Sequence, residues 1–184
     1  LLPQDSLTNM KFATSRDINC KTVYEILKEN GVKPILINLP ATWPPRLVDE
    51  ITITSLLTQG DQWIYPASLK DEFPELAKYR LTPNESLRLK ERKDEYITEL
   101  QTHLAEQMAA VKRIFIEKPW DFFFYLFSHT DWISHLCFDE LENPTSPRGR
   151  ELFKRIDEHL AWLVEHLPEG ANLIMMSDHG FKSY

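Results

Sequence analysis

Three uninterrupted apolar segments, each preceded by a helix-like pattern, constrain the fold of this chain most strongly. The segments are centred on Ile35–Ile37, Asp121–Ser128 and Asn172–Asp178. A strand that is apolar on every position is typical of a strand buried on both faces of a sheet. Because parallel strands need crossover connections, strands that alternate with helices favour a parallel sheet. The sequence therefore predicts an α/β fold with a mostly parallel sheet covered by helices.

The helices predicted before these strands extend over Thr22–Asn30, from Asn84 to about Glu117, and over Arg148–Leu167. In each of them the apolar residues recur at helical spacing, which indicates one buried face. Gly31 is a suitable C-cap for the first helix, and Asn84 is a suitable N-cap for the second.

A proline-rich segment from about residue 41 to residue 83 interrupts this alternation. Within it we expect a short strand at Ile51–Thr54 and a helix near Ser68–Phe73. Connections of this length in a compact domain commonly act as lids or binding elements. The segment is therefore a candidate lid or cap at the carboxyl side of the first strand.

The composition excludes several classes of protein. With only 5 glycines among 184 residues, the chain has no glycine-rich loop for a dinucleotide or a nucleotide phosphate. The net charge of −7 argues against nucleic acid as a partner, and no apolar run reaches the roughly 18 residues of a membrane span. Two cysteines, Cys20 and Cys137, are too few for a disulfide framework. Together with the lack of a signal-peptide pattern, they favour a reducing, cytoplasmic location.

Potential metal ligands follow two of the predicted strands. Asp131 and His135 are four residues apart and would share one face of a helix, and Asp178 and His179 precede Gly180 in a predicted turn. Two carboxylates and two imidazoles suit Zn, Mn or Fe better than Ca or Mg. The alternative is structural, since Asp131 could be a helix N-cap and each histidine an ordinary edge residue. Two ligands per ion are too few for a closed site, so further ligands such as His129 are expected.

Several motifs resemble one known family. The segments FSHTDWISH and MMSDHGF are similar to the D-x-x-x-H and S-D-H-G elements of the alkaline phosphatase superfamily, in the type I phosphodiesterase and nucleotide pyrophosphatase group with its predicted phosphohydrolase/phosphomutase branch. The segment TSRDINCKTVYEILKENGVKPILINLPATWPP resembles an N-terminal stretch of the same group. The likeness extends over most of Ala13–Phe181 and is weaker between Gln59 and Lys118.

The resemblance implies an alkaline-phosphatase-like fold and a two-metal hydrolase of phosphodiester or phosphomonoester bonds, acting on a phosphorylated small molecule. It implies that Asp131 and His135 bind one divalent ion and that Asp178 and His179 bind the other, with Zn favoured over Mn. The family's Thr or Ser nucleophile and its remaining ligands have no counterpart here. We therefore expect residues 1–184 to be the interior part of one catalytic domain that is incomplete, nearly inactive alone and capable of lacking metal.

Other interpretations remain open. A sulfatase or a phosphomutase of the same superfamily would share these motifs, and a non-catalytic binding domain would keep the fold without the chemistry. Candidate substrate contacts or supporting residues are His129, Thr42, Trp43 and Trp132. An incomplete α/β domain would also expose apolar surface, so self-association is expected.

Overall fold

The computed structural model describes residues 13–46, 50–143 and 147–182. In these ranges the strands are β1 (Pro34–Ile37), β2 (Ile51–Ile53), β3 (Ile64–Tyr65) and β4 (Phe122–Tyr125), and the helices are α1 (Val23–Glu29), α2 (Leu69–Glu72), α3 (Lys93–Glu117), α4 (His129–Glu142) and α5 (Pro147–Glu165). The chain forms two compact units. The first contains the described residues up to Glu72 together with Pro119–Leu126, and the second contains Phe73–Lys118 and the described residues from Phe127 onward.

The first unit is built on a four-stranded sheet in the order β3-β2-β1-β4. The central strand β1 pairs in parallel with both neighbours, so that Ile35 lies opposite Ile51 on one side and Phe123 on the other. Strand β3 pairs antiparallel with β2. The predicted α/β class and the mostly parallel sheet are therefore confirmed.

Strand β1 and helix α1 form the core of this unit as the sequence predicts. All four residues of β1 are buried, and Leu36 packs with Tyr24 of α1. Helix α1 begins with a capping box in which the Glu25 carboxylate accepts the backbone N–H of Thr22 at 2.8 Å. This hydrogen bond, with the nearby cations, lowers the pKa of Glu25 and fixes the start of the helix.

Part of the proline-rich segment belongs to the sheet. The predicted strand and helix are confirmed as β2 and α2, whereas β3 was not predicted because its two residues, Ile64 and Tyr65, are too few to show an alternating pattern. The role of this segment as a lid stays a prediction.

The second unit is helical, and α3 packs against both α4 and α5. The helix predicted from Asn84 is wrong in its first part: Asn84 caps a short 3-10 turn by accepting the backbone N–H of Ser86 at 3.2 Å, and α3 begins only at Lys93. An N-cap residue satisfies the donors of a single turn as readily as those of a long helix. Asn84 is therefore an N-cap as predicted, but the helix predicted to follow it directly is wrong. Helix α5 is confirmed close to its predicted range.

The predicted third strand, Asn172–Asp178, is wrong in this structure. The segment forms no strand among the described residues, and Ile174 and Met176 are 80% and 85% exposed. A strand requires a neighbouring strand for its backbone N–H and C=O groups, and an apolar composition does not supply one. Strand β4 was also expected to be fully buried, but each of its four residues is only partly buried.

Within the described part of the chain, every helix is too short or too polar to serve as a membrane span.

Candidate metal centre

The first turns of helix α4 carry two of the predicted ligands. Asp131 and His135 lie one turn apart, and Oδ1 of Asp131 is 3.3 Å from Nε2 of His135. The two side chains are 39% and 51% exposed. The helical spacing predicted from the sequence thus places a carboxylate and an imidazole side by side on a surface that solvent reaches.

The segment after α5 brings a third predicted ligand to the same place. Nε2 of His179 is 3.5 Å from Oδ1 of Asp131. Asp178 lies at the rim: its Oδ1 is 3.9 Å from Nε2 of His179, and its side chain is 90% exposed. Two segments more than forty residues apart in sequence therefore meet at one carboxylate, and His179 lies closer to Asp131 than to its own neighbour.

Phe181 holds this segment against α4. Its ring centroid lies 5.0 Å from that of His135, 5.2 Å from that of His179 and 5.7 Å from that of Phe138. Such aromatic contacts contribute beyond the area they bury. The sequence prediction did not assign Phe181 to the site, although its position two residues after His179 was a usable signal.

Local hydrogen bonds orient His179. Nδ1 of its ring lies 3.2 Å from the carbonyl oxygen of Gly180. Because a carbonyl only accepts, Nδ1 carries the proton of this bond and the neutral ring keeps its lone pair on Nε2, which faces Asp131. The Ser177 hydroxyl donates to the carbonyl of His179 at 2.6 Å and stabilises the turn. A metal-binding histidine is commonly oriented by such a bond at its other nitrogen.

The donor atoms fit a divalent ion in their type and in their pairwise spacing. Two nitrogen or oxygen ligands of a tetrahedral Zn, each at about 2.0–2.1 Å, lie about 3.3 Å apart, and the two distances to Asp131 Oδ1 are 3.3 and 3.5 Å. In residues 13–46, 50–143 and 147–182, however, no three His, Cys, Asp or Glu side chains are arranged to hold one ion together. The described residues thus bring the predicted ligands together in pairs, and their binding of a metal stays a prediction.

His129 has a different environment from its neighbours on α4. It is 1% exposed, and its Nε2 lies 2.9 Å from Nδ1 of the equally buried His103 on α3. The outer nitrogens of both rings, His103 Nε2 and His129 Nδ1, have no hydrogen-bond partner among the described residues. The indole ring of Trp132, which is 6% exposed, packs edge-on against both imidazoles.

Burial keeps these imidazoles neutral. It lowers the pKa of His129 to about 3 and that of His103 to about 4, and the Arg80 charge adds to the effect at His103. His103 was not singled out from the sequence, although it lies between Leu100 and Leu104 on the apolar face of α3. The roles of His129 and Trp132 as ligand or substrate contacts stay predictions.

Thr42 and Trp43 belong to the first unit, where they shape the turn after β1. The Thr42 hydroxyl donates to the carbonyl of Leu39 at 2.7 Å, and the carbonyl of Trp43 accepts the backbone N–H of Ser15 at 2.8 Å. A Cβ at Gly60 would lie 3.2 Å from the Trp43 ring, so the indole lies directly against that backbone. Their contact with a substrate stays a prediction.

The sequence matches a known protein family. The family model described as type I phosphodiesterase / nucleotide pyrophosphatase matches residues 13–184, which includes both ligand-bearing segments. No curated protein and no solved structure matches the chain. Because the match extends over almost the whole sequence, the chain belongs to the type I phosphodiesterase / nucleotide pyrophosphatase family of phosphoester hydrolases, within the alkaline phosphatase superfamily.

Proposed function

We propose that the protein is a divalent-metal-dependent hydrolase of phosphodiester or phosphomonoester bonds in a phosphorylated small molecule. In this proposal Asp131 and His135 bind one ion, and Asp178 and His179 contribute to a second. The observation that carries it is the pair of Asp131 and His135 at 3.3 Å; His179 approaches the same carboxylate at 3.5 Å and brings the second pair beside the first. Family membership supports phosphoester chemistry.

The chemistry of the donor set favours Zn over Mn. Imidazole binds Zn well, and affinity for divalent metals at such a site rises from Mn towards Zn. When bound, a pair of divalent ions stabilises the attacking and leaving oxygens of a phosphoryl transfer. The contribution of the chain itself is orientation: the Nδ1 bond to Gly180 holds His179 with its Nε2 lone pair outward, and Phe181 keeps the turn against α4.

The test combines metal binding with turnover. Asp131→Asn keeps the shape of the side chain and removes its charge, and we expect Zn affinity to fall about 100-fold by isothermal titration calorimetry, since even the loss of an outer-shell partner typically costs about 10- to 100-fold. Hydrolysis of a chromogenic phosphodiester by the full-length protein should fall in parallel. Asp139→Asn, which lies beyond the break in helical geometry at Cys137, is the matched control and should change neither.

The outcome also separates the alternatives. Equal Zn affinity in the wild type and in Asp131→Asn would contradict the proposed ligands. Normal metal binding without hydrolysis of any phosphoester or sulfate ester would favour a binding domain. Turnover of a sulfate ester in preference to a phosphodiester would indicate a sulfatase.

Two further proposals concern the location of the protein in the cell and its self-association. We propose a cytoplasmic location, which cell fractionation with immunodetection would check. We also propose that the chain self-associates through the apolar segment that includes Ile174 and Met176, because both side chains are largely exposed.

A further inference from the structure

A groove lies beside helix α5 in the second unit. Its volume is about 620 Å³, and Thr130 of α4 and a face of α5 form its walls. This volume is within the range of small-molecule sites, roughly 300–1,000 Å³. None of the chemistry described above uses the groove.

The α5 wall of the groove carries positive charge. Arg150 and Lys154 are four residues apart and lie on the same side of the helix. Among the described residues Arg150 forms no ion pair, and the ammonium of Lys154 is 3.9 Å from a Glu151 carboxylate oxygen, which is a weak contact. Among the described residues that line the groove, Asp157 is the only acidic one. The two cations therefore exceed the acidic charge and are available to an anion.

An aromatic side chain lies between the two cations in sequence. Phe153 lines the groove and is 38% exposed. A large apolar ring with this exposure can cover an apolar or aromatic part of a ligand. The groove thus offers an apolar contact beside two positive charges.

The groove reaches α4 one residue from a proposed ligand. Thr130 lines it, whereas Asp131, the next residue, does not. Consecutive Cα atoms are about 3.8 Å apart, but successive side chains of a helix point about 100° apart, so a molecule in the groove reaches the Asp131 carboxylate by extending around the surface of α4. A phosphoester whose scissile phosphate lies at the metal site could therefore extend into the groove.

We propose that the groove binds the part of the substrate beyond the scissile phosphate, and that Arg150 and Lys154 recognise a second anionic group there. This inference rests on the proposed function and adds a substrate class to it: phosphoesters that carry a second anion joined through an apolar or aromatic portion, which packs on Phe153. Arg150 and Lys154 are specificity-determining residues in this proposal and take no part in bond cleavage.

The experiment compares two chromogenic diesters with the same nitrophenyl leaving group. One carries a carboxylate on its second alcohol, and the other carries the methyl ester of that carboxylate. For the double variant Arg150→Gln, Lys154→Gln of the full-length protein, we expect kcat/KM for the carboxylate substrate to fall about tenfold, mainly through KM, since hydrogen bonds to charged groups contribute on this scale. Turnover of the methyl ester should not change.

A matched control and a binding measurement complete the test. Arg155→Gln removes a cation of the same helix that lies 3.8 Å from Glu151 and is not a lining residue, so it should leave the preference intact. Uncleavable phosphonate analogues of the two diesters give the same comparison by calorimetry, which does not require turnover. Equal affinity of the wild type for both analogues, or a preference that survives in the double variant, would overturn the inference. The double variant could lose the preference for the carboxylate analogue in calorimetry while neither diester is cleaved by the wild type. That result would support the groove as a binding site and contradict the proposed hydrolase.

Discussion

Two histidine-containing clusters share helix α4 and differ in how far solvent reaches their side chains. His135 and Asp131 lie on a solvent-accessible side with His179, whereas His129 and Trp132 lie in the interior with His103. Each cluster contains two histidines, and His129 and His135 are only six residues apart in the sequence. Helical phase decides which imidazole keeps a lone pair accessible and which is enclosed. A histidine near a metal-binding motif is therefore informative only when the face it lies on is known.

The largest expected effect is on the buried cluster. Trp132→Ala should lower the free energy of unfolding by about 3–5 kcal/mol, because it removes a buried indole and leaves a cavity. Urea denaturation monitored by circular dichroism would measure the change. His135→Ala, one turn further on the exposed side, is the contrasting variant and should change stability by less than about 0.5 kcal/mol. Equal losses in the two variants would remove the distinction between the clusters.

Acid should destabilise the buried cluster next most strongly. Burial lowers the pKa of His103 to about 4 and that of His129 to about 3, and the Arg80 charge adds to the effect at His103. The unfolded chain then binds more protons than the folded one between about pH 6.5 and pH 4, so stability is present above this window and is lost as the pH falls through it. For His103 alone we expect a loss of about 3 kcal/mol, measured by urea denaturation at successive pH values.

His103→Gln is the variant that sharpens this prediction. It removes one titrating group and should flatten the pH dependence between pH 6.5 and pH 4. His166→Gln changes an exposed histidine and should leave the slope as in the wild type. A slope that is unaffected by His103→Gln would show that other groups titrate.

A smaller effect is expected at the support of the exposed cluster. Phe181→Ala removes the ring that contacts His135 and His179, so the turn loses its anchor while every proposed ligand remains. Zn affinity should fall about tenfold, or about 1.4 kcal/mol, by calorimetry. Met176→Ala, in the same segment and 85% exposed, is the control and should leave affinity unchanged. A normal affinity in Phe181→Ala would mean that the turn is held by other contacts.

The smallest predicted effect concerns self-association. Ile174→Lys introduces a charge into the exposed apolar segment and should weaken association about fivefold, since part of the apolar surface is lost from the contact. Light scattering over a concentration series would measure it. If the wild type is a monomer at every concentration, this segment does not mediate association.

Much of the fold could be predicted from local patterns, and the errors have different causes. The apolar run at Ile35–Ile37 and the cap at Thr22 were both reliable, because burial and capping act within one element. The run at Asn172–Asp178 was equally apolar but has no strand beside it, and pairing is a long-range property that composition does not encode. The errors at β3 and at the start of α3 are local: two residues are too few to show a pattern, and a cap does not set the length of the helix after it.

The candidate site was predictable to a similar degree. The spacing of Asp131 and His135 fixed one pair, and the SDHGF turn indicated the second. The approach of His179 to Asp131 depends on the packing of Phe181 on α4, and the enclosure of His129 depends on His103 from another helix. Neither contact is encoded in the local sequence.

The central claim is that α4 presents metal ligands on one side and structural imidazoles on the other. Anomalous diffraction at the zinc edge, from crystals of the protein grown with Zn, tests it most directly. We expect a peak about 2.0–2.2 Å from a carboxylate oxygen of Asp131 and from Nε2 of His135, and none at the pair of His103 and His129. A peak between His103 and His129, or none at Asp131, would contradict it.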